Sequence, residues 1–224
     1  MKTKGLQAAE HLIFDFDGTI VDSAPAILEC FRNILAARGI APRATLDSRL
    51  IGPPLTKTLA LLAGNDDPEV LQQLVAEFKQ EYDQTGVIAT QPYPGILDAL
   101  QQLRNFGYRL HIATNKRIVP TRLILKQLGV DDYFETIYAV DSQTPAYPSK
   151  SAMIAHQLAA QHIASDTACY IGDKFEDGEA ADANRLTFLI AGWGYGEWQP
   201  GSFPACWQLF DAAPQLAAEL LATE

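Results

Sequence analysis

Apolar positions recur with two different periods along this chain, and the change of period divides it into regions. Between residues 24 and 84 the spacing is helical, with no convincing strand. From residue 92 onward, short apolar runs alternate with amphipathic segments. The pattern predicts helices at 24–38, 46–51, 55–63, 68–82, 96–106, 118–128, 150–160, 176–183 and 214–221. It predicts strands at 11–14, 108–113, 136–140, 167–171 and 187–191.

Alternating strands and helices indicate an α/β fold with a doubly wound parallel sheet and a Rossmann-like core. The helical region lies directly behind the first strand, so we expect an inserted all-helical domain over residues 22–91. The core domain then comprises residues 1–21 and 92–224. Pro92 and Pro94 lie in a stiff segment that we interpret as the hinge back into the core.

The first strand ends in two carboxylates, Asp15 and Asp17, followed by Gly18 and Thr19. Side chains two apart on an extended chain point the same way, so both acids are expected to face one volume. An aspartate nucleophile with a carboxylate acid–base partner fits this spacing, with Asp15 attacking phosphorus and Asp17 moving the proton. A hard cation with oxygen ligands would offset the charge. An acidic turn is the plain structural alternative.

Two more predicted strands also end in polar residues. One runs into Thr114 and Asn115, a hydroxyl and an amide that suit either phosphoryl binding or helix capping. The other runs into Asp173, with Asp177 one helical turn later, and these acids suit either a metal site or a helix N-terminus. Because ligands of such sheets bind beyond the carboxyl ends of the strands, we expect these residues to meet there.

These motifs together resemble those of the haloacid dehalogenase-like hydrolase superfamily, most of whose members are magnesium-dependent phosphatases. The resemblance implies Asp15 as nucleophile, Asp17 as acid and base, Thr114 as a catalytic hydroxyl, and Mg²⁺ held by Asp15, Asp17, Asp173 and Asp177. Gly18, Thr19 and Asn115 are expected to bind the phosphoryl group. The superfamily also requires one lysine, for which Lys116, Lys150 and Lys174 compete. Lys150 is preferred because it begins a predicted helix between the Thr114-Asn115 motif and the Asp173–Asp177 motif, the order that the resemblance implies.

Other segments extend the resemblance. The segment 50–55, with Gly52-Pro53-Pro54, looks like the specificity loop of relatives that have a helical cap domain, with Arg49 or Lys57 reaching the far end of the substrate. A helix–helix turn with two exposed cations is the structural alternative. Asn184 and the Gly-rich run 192–196 resemble the phosphoglycolate phosphatase branch. That run lacks the strand-before, helix-after context of a dinucleotide loop, so we interpret it as a structural turn.

Composition limits the kinds of binding partner that we expect. A net charge of −10 argues against nucleic acid and leaves a small phosphorylated metabolite as the expected partner. Three cysteines without metal-ligand spacing are expected to be reduced thiols, and no signal peptide or membrane-spanning run is evident, so we expect a cytoplasmic protein that does not bind membranes. A monomer and a homodimer remain open.

The sequence therefore predicts a phosphatase of small phosphate monoesters, similar to phosphoglycolate phosphatase. The alternatives are a phosphomutase of the same fold, a nucleotidase or pyrophosphatase, a phospho-accepting signalling domain, and an inactive binding protein. Thr19 favours hydrolysis over mutase chemistry, because mutase relatives commonly carry an apolar residue there.

Overall fold

A computed structural model describes residues 8–199 and 201–222. The chain divides into two compact units, Asp22–Gln91 and Met1–Val21 with Pro92–Glu224. It passes between them along two short strands that pair with each other, β2 (Val21–Asp22) and β3 (Gln91–Pro92).

The unit Asp22–Gln91 is built from helices. They are α1 (Ala24–Ala37), a 3₁₀ turn (Ser48–Leu50), α2 (Leu55–Ala63), and α3 (Pro68–Glu81), which continues through a π-helical turn (Tyr82–Gly86) and a last turn (Val87–Ala89). Its core includes stacked rings of Phe31 and Phe78, with centroids 4.8 Å apart. The helix predicted at 46–51 is only the 3₁₀ turn, since the two prolines after Gly52 prevent its continuation.

The larger unit contains a six-stranded sheet in the order β5-β4-β1-β6-β7-β8. All neighbouring strands of this sheet pair in parallel. The strands are β1 (His11–Phe14), β4 (Arg109–Thr114), β5 (Phe134–Ala139), β6 (Ala168–Gly172), β7 (Thr187–Ala191) and β8 (Gln208–Phe210). The predicted parallel sheet is therefore confirmed.

Helices connect these strands: α4 (Ile96–Phe106), α5 (Ile118–Leu128), α6 (Lys150–Ala160), α7 (Phe175–Ala183) and, after β8, α8 (Ala213–Leu221). The chain adds β4 and β5 on one side of β1, then β6 and β7 on the other. Because parallel crossovers are right-handed, this reversal requires helices on both faces of the sheet. The reversal occurs at β1, so the loop after β1 lies at the point where doubly wound sheets bind ligands.

Three strands were not predicted: β2 and β3, of two residues each, and β8. β8 is three residues long, too short to carry an alternating pattern, and it is a strand because it extends the sheet beside β7. In the part of the chain that the structure describes, no helix is long and apolar enough to cross a membrane.

Candidate active site

The loop after β1 brings Asp15 to the centre of the sheet edge. The Asp15 N–H donates to the carbonyl of Ile171 in β6 (2.8 Å), which fixes the backbone where the strand ends. The loop then folds on itself, with the N–H groups of Ile20 and Val21 donating to the Phe16 carbonyl. Gly18 has a φ of +83°, a conformation that suits glycine.

Three carboxylates meet beside this loop. Asp15, Asp173 and Asp177 are all buried, and each offers an oxygen within 4.8 Å of the others. Within residues 8–199 and 201–222, Oδ1 of Asp15 and Oδ1 of Asp173 are buried and accept no hydrogen bond. Buried oxygens without a donor are costly, and these two atoms could accept a metal ion or another ligand.

Lys150 is the cation that enters this cluster. It is the first residue of α6, whose N-cap Ser149 accepts a hydrogen bond from the Ala152 N–H. Its Nζ lies 2.9 Å from Asp15 Oδ2 and also donates to Asp177 Oδ1. Burial opposes its charge, but Asp15 and Asp177 outweigh burial and hold the pKa of Lys150 well above its ordinary value.

Lys150 does not fully compensate the negative charge of the three acids in the cluster. Burial, followed by the charges of Asp177 and Asp15, raises the pKa of Asp173 well above its usual range. Burial also raises the pKa of Asp177, although Lys150 opposes this. Three carboxylates and one ammonium carry a formal charge of −2 when ionised, which a divalent cation would neutralise.

Asp17 does not join this cluster. Its carboxylate oxygens lie 3.0 and 3.3 Å from Nζ of Lys116. The expectation that Asp15 and Asp17 share one volume assumed an extended chain, but β1 ends at Phe14 and the backbone bends at Phe16. The placement of Asp17 among the metal ligands is therefore not supported by this geometry.

The motif of Thr114 and Asn115 contains one buried and one exposed residue. Thr114 is buried at the end of β4, and its Oγ1 accepts the Lys116 N–H (3.2 Å). Asn115 is exposed and is not the cap of α5, whose N-cap is Arg117. Asp173 is likewise not the cap of α7, whose N-cap is Lys174.

The predicted phosphoryl-binding backbone near Gly18 is largely engaged within its own loop. The Gly18 N–H donates to the Val21 carbonyl (2.9 Å), and the Thr19 N–H donates to the Phe16 carbonyl (3.3 Å). The Thr19 hydroxyl is buried and has no hydrogen-bond partner among the described residues.

The remaining predicted residues belong to the unit Asp22–Gln91. Arg49 is exposed and forms an ion pair with Asp47 on its own turn, 2.5 Å apart. Lys57 is exposed on the first turn of α2.

Sequence reasoning missed one contribution to the site. The backbone N–H of Tyr195, in the Gly-rich run, donates to Asp173 Oδ2 (2.8 Å). The glycines of that run were the available signal, because glycine often marks a close approach of the backbone to another group.

Residues 12–191 match the family model described as haloacid dehalogenase-like hydrolase. The chain belongs to this family. Among similar proteins, phosphoglycolate phosphatase of Rhodobacter capsulatus is 35% identical over 84% of this chain and 86% of its own length. The tyrosine-protein kinase PtkA of Mycobacterium tuberculosis is 31% identical over 85% of this chain, which spans only 64% of that relative.

A solved structure shares the fold of this haloacid dehalogenase-like hydrolase. The crystal structure of a predicted phosphatase from Clostridium acetobutylicum superimposes with a TM-score of 0.82 at 25% identity, covering 95% of this chain and 98% of that one. The family resemblance stated from the motifs is thus confirmed.

Proposed function

We propose that this protein is a magnesium-dependent phosphatase that hydrolyses a small phosphate monoester through an aspartyl-phosphate on Asp15. The observation that carries the proposal is the position of Asp15: its carboxylate lies in a buried acid cluster beside Lys150, with one oxygen unpartnered among the described residues. Membership of a hydrolase family and similarity to phosphoglycolate phosphatase support the reaction class.

The residues present fit a magnesium ion. Asp15, Asp173 and Asp177 supply the carboxylate oxygens that this cation prefers, and two of their buried oxygens accept no hydrogen bond from residues 8–199 and 201–222. When bound, the ion would neutralise charge on the cluster and on the substrate phosphoryl group. Lys150 adds a second positive charge next to the attacking oxygen.

The reaction then proceeds in two balanced halves. An Asp15 carboxylate oxygen forms a bond to phosphorus while the ester P–O bond breaks, and Asp17 gives a proton to the leaving oxygen. Water next attacks the phosphorus of the acyl phosphate and gives its proton to Asp17. Inorganic phosphate leaves, and the Asp15 carboxylate is restored. The hydroxyl of Thr114 is proposed to donate to a phosphoryl oxygen.

The proposal is tested with Asp17→Asn. Asparagine cannot exchange that proton, so turnover of an alkyl phosphate should fall at least about a hundredfold. Acetyl phosphate needs little leaving-group assistance, so it should still phosphorylate Asp15. The intact mass of the variant should therefore rise by one phosphoryl group, and peptide mapping should place that group on Asp15.

Two variants control this experiment. Asp15→Asn should gain no phosphoryl group, and Asp166→Asn, an exposed aspartate in the turn before β6, should behave like the wild type. Normal turnover by Asp17→Asn, or a phosphoryl group on another residue, would contradict the mechanism.

The identity of the acceptor separates hydrolysis from the alternatives. A phosphatase passes the phosphoryl group from Asp15 to water, whereas a mutase passes it to a sugar phosphate. Because one relative is named a tyrosine-protein kinase, a tyrosine peptide is a third acceptor to test. A panel of phosphoglycolate, sugar phosphates, nucleotides and pyrophosphate, with each acceptor added in turn, identifies the substrate class.

The helical unit is proposed to act as a cap domain that recognises the part of the substrate that does not react. Arg49 and Lys57 are exposed cations suited to a second anionic group. Replacing either by alanine should raise KM for such a substrate and leave a small aryl phosphate nearly unaffected. Lys79→Ala, an exposed lysine near the end of α3, is the control. Equal losses on every substrate would refute a role in recognition.

A further inference from the structure

The Gly-rich run Gly192–Gly196, which follows β7, contacts two of the site's motifs at once. The Tyr195 N–H donates to Oδ2 of Asp173 (2.8 Å), and the Trp193 indole N–H donates to the Thr19 carbonyl (3.0 Å). One hydrogen bond thus holds a carboxylate of the acid cluster, and the other holds the loop that follows the nucleophile. A simple structural turn would not need both contacts.

Gly194 lies between these two hydrogen bonds, and the packing there excludes any side chain. A Cβ on Gly194 would lie 2.2 Å from the Gly18 carbonyl oxygen and 2.3 Å from Cβ of Asp173. Its φ is not positive, so glycine is required here for the close approach and not for an unusual backbone conformation. The backbone of the run is therefore wedged between the nucleophile loop and Asp173.

The main chain of Asp173 is contacted by Gly196, the last residue of the run, and by Trp198, two residues beyond it. The Trp198 indole N–H donates to the Asp173 carbonyl (3.0 Å), and a Cβ on Gly196 would lie 2.0 Å from that oxygen. One side-chain oxygen and the carbonyl are thereby fixed. The other side-chain oxygen, Oδ1, is buried and accepts no hydrogen bond from residues 8–199 and 201–222.

We propose that the segment Gly192–Gly196 is a positioning element for the metal site. It fixes Asp173 so that Oδ1 is left for the cation, and it sets the spacing between Asp173 and the Asp15–Thr19 loop. This inference rests on the proposed magnesium dependence. Hydrogen bonds that orient metal ligands commonly change metal affinity by about 10–100-fold when they are lost, and an effect of that size is expected here.

The first test is magnesium binding measured by isothermal titration calorimetry on the full chain. Trp193→Phe removes the indole N–H but keeps an aromatic ring, and Gly194→Ala inserts the excluded methyl group. Tyr195→Pro removes the backbone donor, and Tyr195→Ala is its matched control because it keeps the N–H. We expect weaker binding in the first three variants and nearly wild-type binding in Tyr195→Ala.

A general loss of stability is controlled at another glycine. Gly107 follows α4 with a φ of +116° and has open space around it, so Gly107→Ala strains the backbone away from the cluster. Among proteins whose thermal stability in chelator is equal, only Trp193→Phe, Gly194→Ala and Tyr195→Pro should bind magnesium more weakly than the wild type. The activity of these three variants should need more magnesium for half-saturation than that of the wild type.

The outcomes separate this inference from the proposed function. If the wild type binds magnesium and Trp193→Phe and Gly194→Ala bind it equally well, the positioning role is refuted and the phosphatase proposal stands. If the wild type binds no magnesium, both proposals fail. Should Tyr195→Pro not fold, Trp193→Phe and Gly194→Ala still decide the matter.

Discussion

The central strands β1 and β4 bury titratable groups at both ends, and the two groups are built in opposite ways. Beyond the carboxyl ends lies the acid cluster of Asp15, Asp173 and Asp177 with Lys150. Toward the amino ends lie two histidines, His11 at the start of β1 and His111 within β4. All of these side chains are largely excluded from solvent.

The histidine pair is neutral and internally bonded. Nδ1 of His11 lies 3.0 Å from Nε2 of His111, and Nδ1 of His111 lies 2.9 Å from the hydroxyl of Thr136. That hydroxyl in turn accepts from Gln157 Nε2 (2.9 Å). Burial, with His11 next in importance, lowers the pKa of His111 to about 4, so the ring carries no charge at neutral pH.

The acid cluster, by contrast, is charged and incompletely hydrogen-bonded. Its members are ionisable groups packed together with a formal charge of −2, and two of its oxygens accept no hydrogen bond from the described residues. In the histidine pair, both ring nitrogens of His111 have partners. Burial alone therefore does not indicate function. A buried group indicates function where its charge and its lone pairs are left for something that binds.

Lys150 gives the largest expected effect, because it is the cation of the acid cluster that we propose to face the phosphoryl group. Lys150→Met removes the charge 2.9 Å from Asp15 and keeps the chain length. Loss of one group that stabilises transition-state charge costs about 10²–10³ in kcat, and that loss is expected here.

Lys116→Met and Lys174→Met are the matched comparisons, and both should lose less activity than Lys150→Met. Lys116 bonds to Asp17, and the Lys174 backbone N–H donates to Asp177 Oδ2 (3.0 Å). Steady-state kinetics with one small phosphate ester ranks the three variants. If Lys116→Met or Lys174→Met is the least active, the role given to Lys150 is wrong.

The sequence predicted which acids lie together but not which lysine bonds to them. Asp15 and Asp173 follow apolar strands, and parallel strands align their carboxyl ends, so their proximity followed from the pattern alone. Lys150 was one of three candidates, because a single lysine has no distinguishing spacing. Only tertiary packing reveals that α6 starts beside Asp15.

Two further features depended on geometry that a residue pattern does not contain. Asp17 does not point where the period of the strand predicts, because β1 ends at Phe14 and the chain bends at Phe16. The contact between Tyr195 and Asp173 is made by the backbone, which any residue except proline can provide. Backbone donors leave little trace in composition, so the sequence of the Gly-rich run indicates only a turn.

Magnesium should stabilise the folded protein through the acid cluster, an effect of intermediate size. At a concentration one hundred times its Kd, a ligand that binds only the folded state adds about 2.7 kcal/mol to the free energy of unfolding. Asp173→Asn should abolish this gain. Because burial and neighbouring acids raise the pKa of Asp173, the neutral asparagine should also make the protein more stable than the wild type in chelator.

Asp17→Asn sharpens this measurement, because Asp17 lies outside the cluster and pairs with Lys116. It should keep the full gain from magnesium. Chemical denaturation with magnesium and with chelator tests all three proteins. If magnesium stabilises Asp173→Asn as much as the wild type, Asp173 is not a metal ligand. If magnesium no longer stabilises Asp17→Asn, Asp17 is one.

The smallest predicted effect concerns the histidine pair and depends on pH. The pKa of His111 is about 4 in the folded state and about 6.5 when unfolded, so between these values the unfolded state binds more protons. Acidification therefore favours unfolding. For this ring the free energy of unfolding should fall by about 2 kcal/mol between pH 7 and pH 5. The loss should end below pH 4, where both states are protonated.

Other charges facing the pair act on the same ring, so a difference between variants is the proper measurement. Glu135 favours protonation of His111, whereas Arg109 and His11 oppose it. His111→Gln removes the titrating ring, and His162→Asn replaces an exposed histidine whose φ of +55° asparagine tolerates. Urea denaturation at pH 7 and pH 5, in excess magnesium, should show a smaller pH dependence in His111→Gln only. Parallel curves for His111→Gln and the wild type would mean that the histidine pair does not limit stability in acid, and the contrast between the two ends of the strands would then rest on the acid cluster alone.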